Sequence, residues 1–350
     1  MEKIILEDNK TYYVDDNAVI FRKKRNEELT LLQRLLAIDS PILKTSWKFF
    51  KIILEFFVIG LIVISITFFL INSVPGENPL TQGLDEASRR AVEQRYGLDL
   101  PLFERYIRYL KGLFSGDFGI SLALFPEQSI DSFIWDRFYK SFLVGIFSVA
   151  LTVLIGIPLG IWVGKNPGGW VDNISTVLVS IFSSIPSIIF ALILVFLGRA
   201  AKIPYVFDQN NFATYILPGL ALSLSSIIVY IKYIRTELNR ELNSVHAKFA
   251  YLKGVSKNRF VWKHALKPSL FPIATFFPAV IFGSFIGSIF IEQIFLIPGS
   301  GDTLLQAIQT KDYNVILFLI VMFALLTVLS YAFRDILYEL IDPRIRRRTS

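Results

Sequence analysis

The sequence predicts an all-α integral membrane protein with about six transmembrane helices and both termini in the cytosol. Three observations carry that prediction. Hydrophobic residues make up 53% of the chain and charged residues only 19%, too little charge to cover a water-soluble body of this size. The apolar residues are gathered in long runs, the pattern of membrane spans. Lys and Arg cluster beside those runs, so the net charge of +7 reads as a topology signal and not as a nucleic-acid footprint.

The first residues, Met1 to Glu28, are polar and charged and lack the apolar core of a signal peptide. Residues 1–51 are read as a cytosolic head. Within it Leu29, Leu31, Leu32, Leu35 and Leu36 predict a short amphipathic helix, either at the membrane surface or packed on the protein's own cytosolic loops. A span needs roughly 20 apolar residues at a 1.5 Å rise per residue. Ile52–Ile71, Ser141–Val163, Ile174–Leu197, Leu270–Ile297 and Val315–Phe333 meet that test directly, and Phe212–Ile234 is a weaker sixth, diluted by Pro218 and several Ser residues. The first run is too long for a signal and has no small-residue cleavage site after it, so it reads as a retained helix. Pro158, Pro186, Pro218 and Pro278 lie within spans and predict kinks.

Basic residues fix the orientation. Arg22 to Lys51 precede the first span, Lys232 to Lys267 fill the loop between the fourth and fifth, and Arg334, Arg344, Arg346, Arg347 and Arg348 close the chain. Six spans with both ends inside fit every short loop, and the long segment Asn72–Lys140 then lies outside. The organisation is therefore a head at 1–51, a first span with an extracytoplasmic segment at 52–140, a five-span core at 141–341 and a basic tail at 342–350, with no internal repeat. There is no Cys, hence no disulfide or thiolate chemistry. His246 and His264 are too few for a metal cluster and read as solvated or as partner contacts.

The most informative segment is the basic loop at 235–268. Val245, Phe249 and Leu252 fall at i, i+4 and i+7, one face of a helix. Gly254 sits where a C-terminal cap glycine would, with Lys253 in the last turn, and Ser256 is placed to cap a second helix running to Leu266. Such a helix suits either a groove on a partner or the lipid surface.

This loop, read through Ala250-Tyr251-Leu252-Lys253-Gly254-Val255-Ser256 and His264-Ala265-Leu266, resembles the coupling loop of bacterial ABC importer permeases, in the degenerate form of the peptide-importer branch. It departs at Lys248 and Phe249, where the general hallmark has Glu and Ala. Tyr96-Gly97-Leu98-Asp99-Leu100-Pro101, Gly116-Asp117-Phe118-Gly119-Ile120-Ser121 and Val74-Pro75-Gly76 are similar to the external segment of the first permease subunit of dipeptide and oligopeptide importers. So are Glu292-Gln293-Ile294-Phe295, Pro298-Gly299-Ser300-Gly301, Asp312-Tyr313 and Asp342-Pro343-Arg344 for its last spans and tail. The resemblance covers roughly residues 50–346 in order. It implies a type I ABC importer transmembrane fold in the bacterial cytoplasmic membrane. It further implies a second homologous permease, two ATP-binding subunits and an extracytoplasmic peptide-binding protein. The helix around Val245, His246, Phe249, Ala250, Leu252, Lys253, Gly254 and Ser256 would then contact an ATPase.

No cofactor is expected on this chain, ATP and Mg belonging to the partners. Gly164-Lys165-Asn166 lacks the spacing of a Walker A loop. Glu292, beside an apolar run, is a candidate for the pathway or its gate, or simply meets water at the outer end of span five. Asp117 among its glycines reads as a tight external turn. Gly299-Ser300-Gly301-Asp302 matches half of the intramembrane aspartyl protease signature, but no Tyr-Asp pair supplies the second carboxylate that chemistry requires. A secondary transporter would carry repeats and ionisable residues inside its spans; this chain shows no repeat and its spans carry almost no ionisable residues. Within the importer reading, nickel complexes or another small solute are the alternative cargo to peptides.

Overall fold

The computed structural model describes residues 2–5, 11–14, 20–22, 41–73, 81 and 83–341. It divides into two compact units, Met1–Glu55 and Phe56–Ser350. The first holds three short antiparallel strands, β1 (Glu2–Ile5), β2 (Thr11–Val14) and β3 (Ile20–Arg22), with Lys3 opposite Tyr13 and Tyr13 opposite Phe21. Their Ile, Tyr, Val and Phe content suits a pleated surface. The helix expected over Leu29–Leu36, the Val74-Pro75-Gly76 motif and the basic tail at 342–350 lie outside the described residues.

The other regular elements among the described residues are helices. In chain order the helices are α1 (Pro41–Asn72), α2 (Glu86–Tyr96), α3 (Leu102–Ser115), α4 (Asp131–Gly164), α5 (Trp170–Ser184), α6 (Ser187–Ala200), α7 (Ala213–Leu242), α8 (Val245–Leu252), α9 (Lys257–Ser269), α10 (Phe271–Ile286), α11 (Ile289–Phe295), α12 (Ser300–Thr310) and α13 (Tyr313–Ile341). Four are long and apolar enough to cross a membrane: Ile52–Asn72 of α1, then α4, α7 and Tyr313–Leu337 of α13. The bent pairs α5–α6 and α9–α10 raise the number to six.

Two of the predicted apolar runs are not one helix. Ile174–Leu197 reads as a single span, yet the chain turns through 98° between α5 and α6. Pro186 has no N–H to continue the ladder, and it forces Ile185 out of helical geometry to φ −86°, ψ 119°. Leu270–Ile297 also reads as one span, but α10 stops at Ile286. Gly287 takes φ +71°, a left-handed conformation natural to glycine, and α11 is a separate element.

Pro158 is accommodated inside α4 because a π-helical turn, Thr152–Gly156, opens the ladder just before it. A second π turn, Val261–Ala265, precedes Pro268 in α9. Beyond its π turn, α4 packs on α7 through glycines spaced four apart. A Cβ at Gly160 would stand 2.9 Å from the Ile234 side chain, and one at Gly164 3.1 Å from Cα of Arg235. This is the small-residue seam that lets two membrane helices approach backbone to backbone. At the other end of α4, Ile134 and Phe138 join Val315, Phe318 and Leu319 of α13 in a buried core.

Helix α3 runs antiparallel beside α1. Arg105 donates to Asn72 Oδ1 at 2.6 Å, Tyr106 meets the Ser65 hydroxyl at 2.6 Å, and Phe114 stacks on Phe57 at a ring separation of 6.0 Å.

Candidate functional site

The α8 segment is built by its caps. Ser244 Oγ accepts from the Ala247 N–H at 3.3 Å at the helix start. At the other end Gly254, at φ +82°, lets its own N–H reach the Tyr251 carbonyl at 2.9 Å and the Val255 N–H reach that of Ala250 at 3.1 Å. This paired closure, with Val255 packed near Ala250, ends a helix in a left-handed cap. Ser256 then accepts from the Arg259 N–H at 3.4 Å and opens α9, which continues through its π turn to Ser269 rather than stopping at Leu266.

One face of α8 is anchored and the other is bare. Ala247 is buried with Leu238, Leu242, Phe260, Val261 and Ala265. The rings of His246 and His264 both lie on Phe260, at 5.5 and 5.6 Å, and His246 Nε2 sits 3.2 Å from the Glu241 carboxylate. The histidines are thus held within the loop itself. In contrast, Val245, Phe249 and Leu252 are 68%, 61% and 83% exposed. Lys253 is also exposed.

Neighbouring loops brace this platform. Arg235 pairs with the buried Asp172, which also accepts from the Gly168 N–H at 2.9 Å. Lys257 donates to Asn166 at 3.0 Å, and Lys165 lies 5.0 Å from the Trp262 ring. Gly164-Lys165-Asn166 therefore closes a turn against α9.

At the opposite end of the bundle sits Glu292, only 3% exposed. The sequence reading places it near the outer end of span five, either at the mouth of the pathway or simply in water. Because that span ends at Gly287, Glu292 instead belongs to α11 and is folded back against α4 and α12. Ser141 Oγ donates to Oε1 at 2.6 Å, and the Asp302 N–H donates to Oε2 at 2.8 Å. The carboxylate thus occupies the N-terminus of α12, where free N–H groups and the helix dipole favour a negative charge. Ser141 Oγ accepts in turn from the Ser300 N–H at 2.8 Å, and Ser300 Oγ donates to the Phe285 carbonyl at 2.7 Å. Gly287, Gly299 and Gly301 crowd the carboxylate; a Cβ at Gly287 would overlap it, and one at Gly301 would stand 3.1 Å from Oε2. Asp302, in the protease-like motif, begins α12 and accepts from Gln306 at 2.6 Å. Glu292 also borders a cavity of about 130 Å³ shared with Ser148, Ser226 and Ser284, between α4, α7 and α10.

A second buried carboxylate was not singled out by sequence reasoning as a site. Asp312 is fully buried and accepts from Ser121 Oγ at 2.5 Å and from the N–H groups of Leu122, Ala123 and Leu124 at 2.9, 2.9 and 3.0 Å. Asn314 adds a bond to the Ile120 carbonyl at 2.9 Å. Ser121 and Asp312 each stand in a recognisable motif, but their partnership spans 191 positions and no local pattern signals it. Asp117 accepts from the Gly119 N–H at 3.0 Å, a tight turn in the same segment. Among the described residues no group of three or more His, Cys, Asp or Glu is arranged to hold a metal.

The profile of the binding-protein-dependent transport system inner membrane components matches residues 156–347, from the π turn of α4 through α13. The chain belongs to this family. It is a multi-pass permease subunit of an ABC transporter, seated in the bacterial inner membrane. The permease is 31% identical to the dipeptide transport system permease protein of Lactococcus lactis over 286 residues, 81% of this chain and 94% of that protein. It is 32% identical to the oligopeptide transport system permease protein of Haemophilus influenzae over 302 residues, 85% of this chain and 98% of that protein. It is 29% identical to the glutathione transport system permease protein of Escherichia coli over 293 residues, with 82% and 94% coverage. The matched portion includes α8, the Glu292 junction and Asp312.

Proposed function

We propose that this permease forms half of the translocation pathway of an ATP-driven importer of oligopeptides or dipeptides. ATP hydrolysis takes place on partner subunits, which hold the nucleotide and Mg. The assembly contains a second homologous permease, two ATP-binding subunits and an extracytoplasmic peptide-binding protein. Both termini and α8 face the cytosol, in keeping with the basic residues around α8.

The observation that carries this reading is the exposed stripe Val245, Phe249 and Leu252 on a helix whose opposite face is locked to α7 and α9. Three large apolar side chains one turn apart are the anchors of a helix-in-groove contact. The firm attachment of α8 passes motion of its partner on to the bundle instead of dissipating it. ATP-driven approach of the ATPases would then switch the bundle between inward- and outward-facing states. The peptide cargo rests on the relatives, which are named for dipeptides, oligopeptides and the tripeptide glutathione; they favour peptides over nickel complexes.

The test is purification of the tagged chain from its native membranes, followed by reconstitution. The expected result is co-purification of a second permease and of ATPases, with peptide uptake that requires ATP. Phe249→Asp should detach the ATPases and stop uptake while leaving the bundle folded. A chain that purifies alone and moves solute without ATP would overturn the proposal.

A further inference from the structure

A cavity of about 560 Å³ is lined by none of the α8 residues and not by Glu292. It opens between α2, α3, the 117–122 loop and the ends of α1 and α13. Its floor is apolar, formed by Phe68, Ile71 and Leu317. Its wall on α3 consists of Arg105, Arg108, Tyr109 and Gly112, spaced i, i+3, i+4 and i+7 on one helix face. Phe103 and Phe114, eleven residues apart and 66% and 65% exposed, share the opposite face. The exposed phenylalanines suit lipid, so the arginines point the other way, into the cavity.

These cavity-facing donors have few acceptors among the described residues. Arg105 makes its one hydrogen bond to the neutral Asn72, and it has no carboxylate partner among the described residues. Arg108 has neither an ion pair nor a hydrogen bond there; its guanidinium rests on the bare backbone of Gly97, where a Cβ would overlap it. The Tyr109 hydroxyl is buried without a partner. By contrast, Arg95, on the far wall, is 3.8 Å from Glu127. Two guanidiniums without a carboxylate partner among the described residues, together with a buried phenol above an apolar floor, form a recognition set for an anion. A guanidinium fork matches a carboxylate, buried polar groups are otherwise satisfied, and the volume falls within the roughly 300–1,000 Å³ usual for small-molecule sites.

We infer that this cavity is a second binding site, outside the pathway, for the C-terminal carboxylate of a short peptide. Arg105, Arg108 and the Tyr109 hydroxyl receive the carboxylate, and an apolar side chain of the peptide lies on Phe68, Ile71 and Leu317. The peptide class rests on the import reading above; the anion chemistry does not.

The experiment uses the assembled transporter in nanodiscs without its binding protein, titrated with the dipeptide Ala-Phe and with its C-terminal amide. The acid should bind roughly tenfold more tightly than the amide. That difference should vanish in R105Q/R108Q, and it should shrink in Y109F, which keeps the ring and removes only the donor. R108Q alone changes an exposed side chain and so guards against misfolding; it should also narrow the difference, with thermal stability unchanged. R90Q, on α2 and outside the cavity, should behave as wild type. Equal binding of acid and amide would overturn the proposal, as would an acid preference that survives in R105Q/R108Q, since the carboxylate would then be read elsewhere. ATP-driven uptake by the wild type is measured alongside. Its absence counts against the import reading, whereas normal uptake with no acid preference counts against this site alone.

Discussion

At one end of the bundle Glu292 and Asp312 are buried carboxylates whose oxygens are filled by the protein's own donors. At the other end α8 leaves Val245, Phe249 and Leu252 in the open. The carboxylate end spends its polar chemistry internally. Each acid ties together segments distant in sequence, Glu292 joining α11 to α4 and α12, and Asp312 joining the 121–124 loop to the start of α13. The α8 end leaves an apolar face uncovered, using caps and one buried face to present it. Substitutions should therefore act on stability at the first end and on coupling at the second.

The largest loss of stability is expected from Asp312→Ala. It removes the carboxylate and strands four backbone N–H groups and a hydroxyl, a cost of about 3 kcal/mol or more. Thermal unfolding of the purified complex should show it, and Asp312→Asn, which keeps an acceptor, should fall well short of it. Next is Glu292→Gln, which keeps the shape but loses the charge at the α12 terminus, at about 1–2 kcal/mol. If Glu292→Gln instead leaves the melting temperature unchanged while altering uptake, the junction is a gate and not a fastener, and the contrast drawn here breaks. Ser256→Ala removes the α9 cap and should cost about 1 kcal/mol, together with weaker ATPase association. Smallest in stability is Leu252→Ser, within roughly 0.5 kcal/mol as for an ordinary surface change. Its effect should appear in co-purification of the ATPases and in uptake.

Legibility in the sequence followed the range of the interaction. The α8 caps were readable because Ser244, Gly254 and Ser256 act on neighbours within a few residues. The exposed stripe was readable as a period. The six apolar runs were readable as composition, but composition is blind to a break: Pro186 was noted as a kink within a span, whereas the chain turns by 98° there. Gly287 gave no warning that span five ended ahead of Glu292, because one glycine in an apolar run has many meanings. The Asp312 clasp, the glycine seam of α4 and the cavity wall of Arg105 and Arg108 were hidden for a different reason. Each depends on which distant segment lies opposite, and a single sequence does not state that.

The dimensions of α7 have a mechanical consequence. Its 30 residues make a rod of about 45 Å at the α-helical rise, against roughly 30 Å of hydrocarbon. The helix exceeds that thickness by about 15 Å, and its C-terminal end lies two residues before α8. Leu238 and Leu242 near that end are clamped to the α8–α9 platform, and the glycine seam clasps the rod farther along. The arrangement has the form of a crank on a fulcrum: under the coupling proposed above, a small push at the α8 end would tilt the far end, with the leverage set by where Gly156, Gly160 and Gly164 hold the shaft.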